Sequence, residues 1–354
     1  MKSLLRLLLK SQQRNRAHPT QKEQGMTLIE LLIGTVMAFL ILTPMFVFVV
    51  DMLNTDRREQ LKANTEQDIQ AAVDFIAQDL SQAIYIYDNN TINNPAPDGT
   101  PAIRSQLPNP PDGTPILVFW KRRQLRNAVS VNTVTRVAPI NCTLANCNDT
   151  YVRSLVAYYQ IREANPIWCQ PLGNSCPHRI ARYEIKEGVR NPGSVAPNPP
   201  YYDSSQVKTG QEASPAFNPN FDFSQPRLNV TQGTVFPPSD VLVNYIDHTP
   251  LPPPPSTVLP PTGAQCQTLL GVTPPTGPGA PPFDPNDLLI TDTLPNSPHS
   301  FYACVDTSRN LARVTIRGNT LRRLQPDNVN YHPDKSAFFP TASVQVQGRG
   351  ARGE

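Results

Sequence analysis

The sequence predicts an α+β fold in which a long N-terminal helix packs on an antiparallel β-sheet head. Three observations predict it: an apolar run of membrane length over residues 26–50, a helical apolar stripe after it, and a series of short β-rich segments beyond. The chain has 354 residues, of which 40 are proline, and this argues for long irregular segments rather than a compact helical enzyme. The net charge of +3 is too small to favour a nucleic-acid partner.

Residues 1–25 are predicted to be a basic leader that ends at Gly25. Its only acidic residue is Glu23, and its basic residues are Lys2, Arg6, Lys10, Arg14, Arg16 and Lys22. An excess of Lys and Arg before an apolar span places the N-terminus in the cytoplasm by the positive-inside rule. The remainder of the chain is then expected outside the cytoplasm.

Residues 26–50 are predicted to be the transmembrane half of the N-terminal helix, because about 20 apolar residues cross a bilayer core. Glu30 is their only charged residue, and a charge within such a span is by default functional. The plainer interpretation is a carboxylate at the membrane edge. Pro44 removes a helix hydrogen bond and is predicted to break or kink the span. A secretory signal peptide is the alternative, but no small-residue cleavage site follows Val50.

Residues 51–87 are predicted to be the amphipathic half of the same helix. Apolar residues recur at helical spacing, with Asp74, Gln78 and Asp79 between them as a polar face. The apolar positions are Ile69, Val73, Ile76, Leu80 and Ile84. Such a stripe needs a surface to cover it, and the chain's own sheet is the expected surface.

Residues 88–354 are predicted to be an extracytoplasmic, β-rich head. Its first part, residues 88–115, is rich in Asn, Pro, Asp and Gly and is predicted to be a loop. Strand candidates follow at Ile116–Trp120, Leu155–Ile161, Ala181–Ile185, Val241–Ile246, Phe301–Val305, Leu311–Arg317 and Ser343–Gln347. Strands without long intervening helices predict an antiparallel sheet packed on the helix.

Residues 191–300 contain a proline-rich insertion with repeated Pro-Pro pairs, including the run Pro252–Pro255. This composition indicates extended or polyproline conformation with few ladder hydrogen bonds. The favoured interpretation is an exposed, partly disordered insertion. A recognition surface for another subunit or for exported cargo is the functional alternative.

All 6 cysteines lie beyond the apolar span, which fits an oxidising compartment. The local pairs Cys142–Cys147 and Cys169–Cys176 are plausible, and they leave Cys266 with Cys304. About fifteen connectivities are formally open to six cysteines, so this pairing is a hypothesis. A zinc site using Cys169, Cys176 and His178 is the weaker alternative. Cys142 and Cys147 could supply the remaining ligands, but their spacing is loose.

The sequence contains no motif of a known catalytic site: no nucleophile elbow, phosphate loop, zinc-protease helix or dinucleotide fingerprint. We therefore expect no enzyme activity, no cofactor and no structural metal. Asp284–Asp287 could hold calcium through carboxylate and amide oxygens, but it lacks the twelve-residue loop pattern. A turn explains the same residues at least as well.

The segment Gly25-Met26-Thr27-Leu28-Ile29-Glu30, with its basic leader and apolar run, resembles the processing site of type IV pilins and pseudopilins. The resemblance implies cleavage after Gly25 by a prepilin peptidase and methylation of the new N-terminus at Met26. Most of the family has Phe at this position. It also implies that Glu30 neutralises the N-terminal amine of a neighbouring subunit during assembly, and that the helix melts locally near Pro44.

Two further segments carry finer resemblances. Residues 71–83 resemble the same region of J-type minor pseudopilins and W-type minor pilins. The stretch Arg179–Ile185, with the long proline-rich head, looks most like the C-type pseudopilin of the cyanobacterial hormogonium polysaccharide secretion system.

These resemblances imply a single-pass inner-membrane protein whose head lies in the periplasm and which joins a pseudopilus at the cell surface. The implied partners are the prepilin peptidase, other pilins and pseudopilins, the inner-membrane assembly platform and an exported polysaccharide, in support of gliding motility. The alternative within the class is a minor pilin or a J-type pseudopilin at the filament tip, which primes assembly or serves protein secretion. Alternatives of another class are a membrane-anchored periplasmic enzyme and an anchored binding protein.

Overall fold

The structure is a computed structural model that describes residues 25–132, 136–173, 176–191, 200–250, 261–277, 282–292 and 299–349. The chain divides into two compact units, Met1–Arg57 and Arg58–Glu354. Of the predicted leader, only Gly25 is among the described residues. The run Pro252–Pro255 also lies outside them.

The first helix, α1, spans Leu28–Ser81, a length of 54 residues. Its buried residues all belong to the second unit and repeat at helical spacing: Thr65, Ile69, Ala72, Val73, Ile76, Asp79 and Leu80. The predicted apolar stripe is therefore confirmed over its helical part. The helical residues continue without interruption through Pro44, so the predicted break is absent. A bend or local melting there stays a prediction.

The prediction that the helix continues to residue 87 is wrong. The helix ends at Ser81, and strand β1 follows at Ala83–Ile86. Ile84 continues the helical spacing of the stripe, but this strand pairs with the next one, opposite Phe119–Lys121, and its backbone bonds there instead. Tertiary pairing thus overrides the local apolar pattern.

A five-stranded antiparallel sheet has the order β1-β2-β3-β4-β5. Its other strands are β2 Gly113–Ser130, β3 Cys147–Ile161, β4 His178–Lys186 and β5 Asp240–Ile246. The predicted strands are present, and two of them are much longer than predicted. Strands β2 and β3 form an extended ladder in which Trp120 lies opposite Leu155.

A four-stranded antiparallel sheet has the order β6-β7-β8-β9. Its strands are β6 Leu289–Ile290, β7 Phe301–Asp306, β8 Leu311–Arg317 and β9 Thr341–Gln347. The two sheets and the buried stripe of α1 contribute to one apolar core. Gly318, just after β8, lets the backbone lie close to α1, since a Cβ there would meet Ile69 and Thr65 of α1 at 3.0 Å. The predicted α+β class is thereby confirmed.

The proline-rich segment differs from its prediction. Its described residues include β5 and a loop that packs aromatic rings on the sheet face opposite α1. Phe221 stacks on Trp120 with ring centroids 4.4 Å apart, and Phe217 meets the same indole edge-on at 6.0 Å. The expectation of an exposed insertion is wrong for this part, because its apolar side chains supply the cover that a two-sided sheet needs.

Three short helices were not predicted: α2 Asn89–Asn93, α3 Gly263–Leu270 and α4 Thr320–Leu324. The first lies within residues 88–115, so the prediction of an uninterrupted loop there is wrong. Helix α3 begins with a capping box, in which Thr262 and Gln265 each bond the other's backbone N–H. This S/T-x-x-E/Q pattern is a readable helix-start signal among the prolines.

Candidate assembly segment and helix anchor

The predicted cleavage site lies immediately before the helix. Gly25 and Met26 are non-helical and exposed, and Met26 retains 74% of its surface. A Cβ added to Gly25 would meet no described atom within 4 Å. Packing within the described residues therefore sets no requirement for glycine at this position.

Glu30 lies in the first turn of α1 and takes part in its N-terminal cap. Its backbone N–H contacts the Thr27 hydroxyl at 3.4 Å, and its carboxylate oxygen lies 3.5 Å from the same hydroxyl. A carboxylate in the first turn is stabilised by the positive end of the helix dipole. Capping is thus a structural role for Glu30 that stands beside its predicted role in assembly.

Every residue from Gly25 to Gln60 is exposed, although most of those up to Val50 are apolar. Among the described residues, α1 is the one helix long and apolar enough to cross a membrane. A membrane anchor and a signal sequence both meet that criterion. An apolar surface this large needs lipid or protein to cover it.

A buried ionic cluster joins α1 to the five-stranded sheet. Asp79, only 6% exposed, accepts from Lys121 Nζ at 2.7 Å, from Arg182 Nε at 2.8 Å and from the Tyr158 hydroxyl at 2.7 Å. Glu184 completes the cluster by accepting from Arg182 Nη1 at 2.9 Å. The partners of Asp79 lie on three adjacent strands, β2, β3 and β4, on the sheet face that α1 covers.

The electrostatics of this cluster favour its charged form. Burial alone would raise the pKa of Asp79, but the charges and hydrogen bonds of Lys121 and Arg182 outweigh it and hold that pKa below its usual value. Burial, with the adjacent Asp79 carboxylate, raises the pKa of Tyr158 well above its usual value. The phenol therefore stays protonated and donates to Asp79.

The prediction that Asp79 lies on a polar face of the helix is wrong, because this carboxylate is buried. Its partners are 42, 79 and 103 residues away in the chain, so no local motif connects them. One signal was available: Asp79 lies three residues after Ile76 and directly before Leu80, which is on the apolar stripe. A carboxylate on a buried stripe requires a cationic partner.

The cysteines form three disulfides: Cys142–Cys147, Cys169–Cys176 and Cys266–Cys304. These are the pairs that the spacing suggested. The zinc alternative is wrong for this structure, because Cys169 and Cys176 form a disulfide with each other, as do Cys142 and Cys147, and no thiolate is left to bind zinc. The compartment in which the disulfides form stays a prediction.

The calcium candidate forms a turn. Asp284 accepts from the backbone N–H of Asn286 at 2.9 Å and caps the 3₁₀ turn Pro285–Leu288. In the described ranges, no group of three or more His, Cys, Asp or Glu residues is placed to hold a metal ion. Whether the protein uses a cofactor stays a prediction.

No protein-family model, curated protein or solved structure matches this chain. The family resemblance accordingly depends on the residues from Gly25 to Glu30 and on the segments around them. It enters the functional argument as a proposal.

Proposed function

We propose that this chain is a minor pseudopilin, processed after Gly25 and assembled through α1 into a pseudopilus. The observation that carries the proposal is an exposed Gly25–Met26 bond directly before a helix whose first turn holds Glu30 and whose next residues are apolar on all sides. An extended, accessible bond suits a peptidase. A helix apolar on every side suits lipid before assembly and neighbouring helices after it.

Glycine at the cleavage point supports processing. A Cβ added to Gly25 would meet no described atom within 4 Å, so larger residues would also fit there. The presence of glycine is therefore better explained by the requirements of a peptidase pocket than by packing. Glu30 supports assembly, since a carboxylate at the edge of hydrocarbon is stabilised by a nearby ammonium. Cleavage would create that ammonium at Met26, where methylation is also proposed.

The proposed location is the inner membrane, with the head in the periplasm and then in a pseudopilus at the cell surface. The proposed partners are the prepilin peptidase, other pilins and pseudopilins and the assembly platform. The resemblance of Arg179–Ile185 to the hormogonium system favours polysaccharide export and gliding as the process served. These residues lie on β4 and supply Arg182 and Glu184 to the ionic cluster.

Mass spectrometry of the mature N-terminus tests processing. The full chain is expressed with and without its host's prepilin peptidase, and a species beginning at Met26 is expected only with the enzyme. Gly25→Leu is expected to abolish cleavage. Gly34→Leu is the matched control, because Gly34 has an equally open environment. An intact leader in both strains contradicts the proposal.

Sheared filaments test assembly. Glu30→Ala is expected to remove the protein from the filament fraction while leaving the head folded. Thr27→Ala distinguishes the two roles of Glu30, because it removes the cap and keeps the carboxylate. If Thr27→Ala is excluded from filaments as strongly as Glu30→Ala, the cap and not the charge is what assembly requires.

A further inference from the structure

A basic cavity of about 550 Å³ lies at the edge of the five-stranded sheet. Strand β1 pairs with β2 only up to Lys121, so β2 has no partner strand on that side beyond this residue. The cavity is bounded by this edge, by the end of α1 and by residues after β9. Its size falls in the usual range of ligand sites, about 300–1,000 Å³.

Four arginines line this cavity: Arg122, Arg123, Arg126 and Arg349. Among the described residues, no carboxylate lies within 4.0 Å of any of their guanidinium nitrogens. By contrast, Arg153 and Arg182 on the same sheet are each bonded to a carboxylate. Four cationic groups without a carboxylate counter-charge make the cavity attractive to a multivalent anion.

The cavity also offers an aromatic face and amide groups. Tyr151 is 58% exposed, and the guanidinium of Arg122 lies 4.3 Å from its ring centroid. Gln82 and Gln124 line the same space. Aromatic rings with an apolar face and a polar edge suit ligands that are themselves amphipathic, and amide groups both donate to and accept from hydroxyls.

Two further cavities of about 380 and 200 Å³ share lining residues with this one. Tyr151 lines all three, and Arg122 lines the first two. In the two smaller cavities the carboxylate of Glu187 is present, and it is bonded to Arg153 and Arg190. A series of adjacent depressions fits a linear polymer better than a compact small molecule. The largest of the three, which the four arginines line, is the one expected to bind anionic groups.

We propose that this groove binds a segment of an acidic polysaccharide. Carboxylates of the sugar residues pair with Arg122, Arg126 and Arg349, whose planar guanidinium groups bind carboxylates in a bidentate manner. Arg123 adds positive charge without direct pairing, because its Nη2 donates to the Gly210 carbonyl and its Nη1 is buried.

The C–H face of a sugar ring packs on Tyr151, and its hydroxyls bond to Gln82 and to the side-chain oxygen of Gln124. The NH2 group of Gln124 already donates to the Asp149 carboxylate at 2.8 Å. The choice of a glycan as the polymer rests on the proposed function, whereas the anionic preference rests on the groove alone.

A single-stranded nucleic acid fits the groove less well. Such strands bind through several aromatic rings that stack successive bases, together with a strongly basic channel. Tyr151 and Phe223 are the two aromatic residues among those that line the three cavities, and the carboxylate of Glu187 lines two of them. Single-stranded DNA is accordingly a competitor in the test rather than the proposed ligand.

The test measures binding to the full chain in a non-ionic detergent. The probe is a polygalacturonate oligomer, which carries one carboxylate on each sugar. Three competitors isolate the recognised features: the same oligomer with its carboxyl groups reduced, polyacrylate without sugar rings, and single-stranded DNA. We expect binding of polygalacturonate that weakens with salt, no binding of the reduced oligomer, and weaker binding of the other two.

The triple variant Arg122→Gln, Arg126→Gln, Arg349→Gln is expected to lose at least about tenfold in affinity, since each exposed ion pair contributes a modest part. Its matched control is Arg57→Gln, Arg58→Gln, Arg104→Gln, which removes the same charge from exposed residues that do not line the groove. Tyr151→Ala is expected to weaken binding of polygalacturonate and not of polyacrylate.

Equal loss in both triple variants would overturn the groove as the site. Equal binding of DNA or polyacrylate and polygalacturonate would overturn the glycan assignment and leave a general polyanion site. The result is independent of processing: a chain that binds the oligomer but keeps its leader in cells contradicts the proposed pseudopilin function and not the groove. A processed chain that ignores the oligomer contradicts the groove alone.

Discussion

The two halves of α1 have opposite relations to the rest of the chain. Residues up to Gln60 are exposed on all sides, and those up to Val50 are mostly apolar, whereas residues 65–80 bury a narrow stripe and one carboxylate. The more hydrophobic half is thus the one that stays exposed among the residues that the structure describes. High hydrophobicity in this helix indicates an external environment, and moderate, periodic hydrophobicity indicates internal packing.

Removing Asp79 is expected to have the largest effect on stability. Asp79→Ala leaves Lys121 and Arg182 with Glu184 as their one remaining carboxylate, so one buried positive charge is uncompensated, and this costs about 3–5 kcal/mol. Thermal unfolding of the full chain in detergent, followed by near-ultraviolet circular dichroism, measures the loss. Asp74→Ala is the control, because Asp74 is exposed on the same helix. Equal losses in the two variants contradict the anchoring role.

A matched isoleucine pair compares the halves directly. Ile76 is completely buried and Ile41 is 62% exposed. Ile76→Ala is expected to cost about 2–5 kcal/mol through lost burial and a cavity. Ile41→Ala is expected to change the stability of the head by less than about 0.5 kcal/mol. Denaturant unfolding in detergent provides both values. A large effect of Ile41→Ala on head stability would show that the exposed half packs on the chain after all.

Acid is expected to weaken the head and not the exposed part of α1. The head contains buried histidine, whereas residues 25–57 contain no histidine. Burial, then His248 and Arg162, lowers the pKa of His178 to about 3. The unfolded chain binds this proton near its ordinary pKa of about 6.5, so stability falls as pH decreases from that value towards the folded pKa. The loss between pH 7 and pH 4 is about 2–3 kcal/mol for this residue.

His178→Gln is expected to flatten this pH dependence when unfolding is measured across the same range. His332→Gln is the control, because that ring is exposed. An unchanged slope in His178→Gln would mean that His178 does not carry the acid sensitivity of the head.

The smallest expected effect is at the start of the exposed half. Thr27→Ala removes the capping hydroxyl and costs about 1 kcal/mol, local to the first turn. Hydrogen exchange at the amides of Glu30 and Leu31 is expected to become about fivefold faster, with no change in the head. Thr35→Ala is the control, since its hydroxyl bonds the Leu32 carbonyl inside the helix. Unchanged exchange in Thr27→Ala contradicts the cap.

Local patterns were enough to predict most of the architecture. Strand β8 was predicted with its observed bounds, Leu311–Arg317, because its residues are β-branched and alternate. The buried stripe from Ile69 to Leu80 was predicted from spacing alone. Each of these signals lies within a few residues, which is the range over which a sequence can be read directly.

Features that depend on distant partners were not predicted. The residues of strand β1 are predicted to be helical because Ile84 fits both the helical and the strand spacing of apolar residues. Only the pairing of β1 with β2 decides between the two. Asp79 was placed on the polar face because its partners come from three separate strands. Phe221 was placed in an exposed insertion because proline content says nothing about which face of a sheet needs cover.

The ionic cluster at Asp79 also has a mechanical consequence. In the proposed filament, a subunit held by its helix and pulled at its head would carry tension from α1 into the sheet. Asp79 passes the load to β2, β3 and β4 at once through Lys121, Tyr158 and Arg182. Separating α1 from the sheet at this point therefore has to break hydrogen bonds to three strands that meet at one carboxylate.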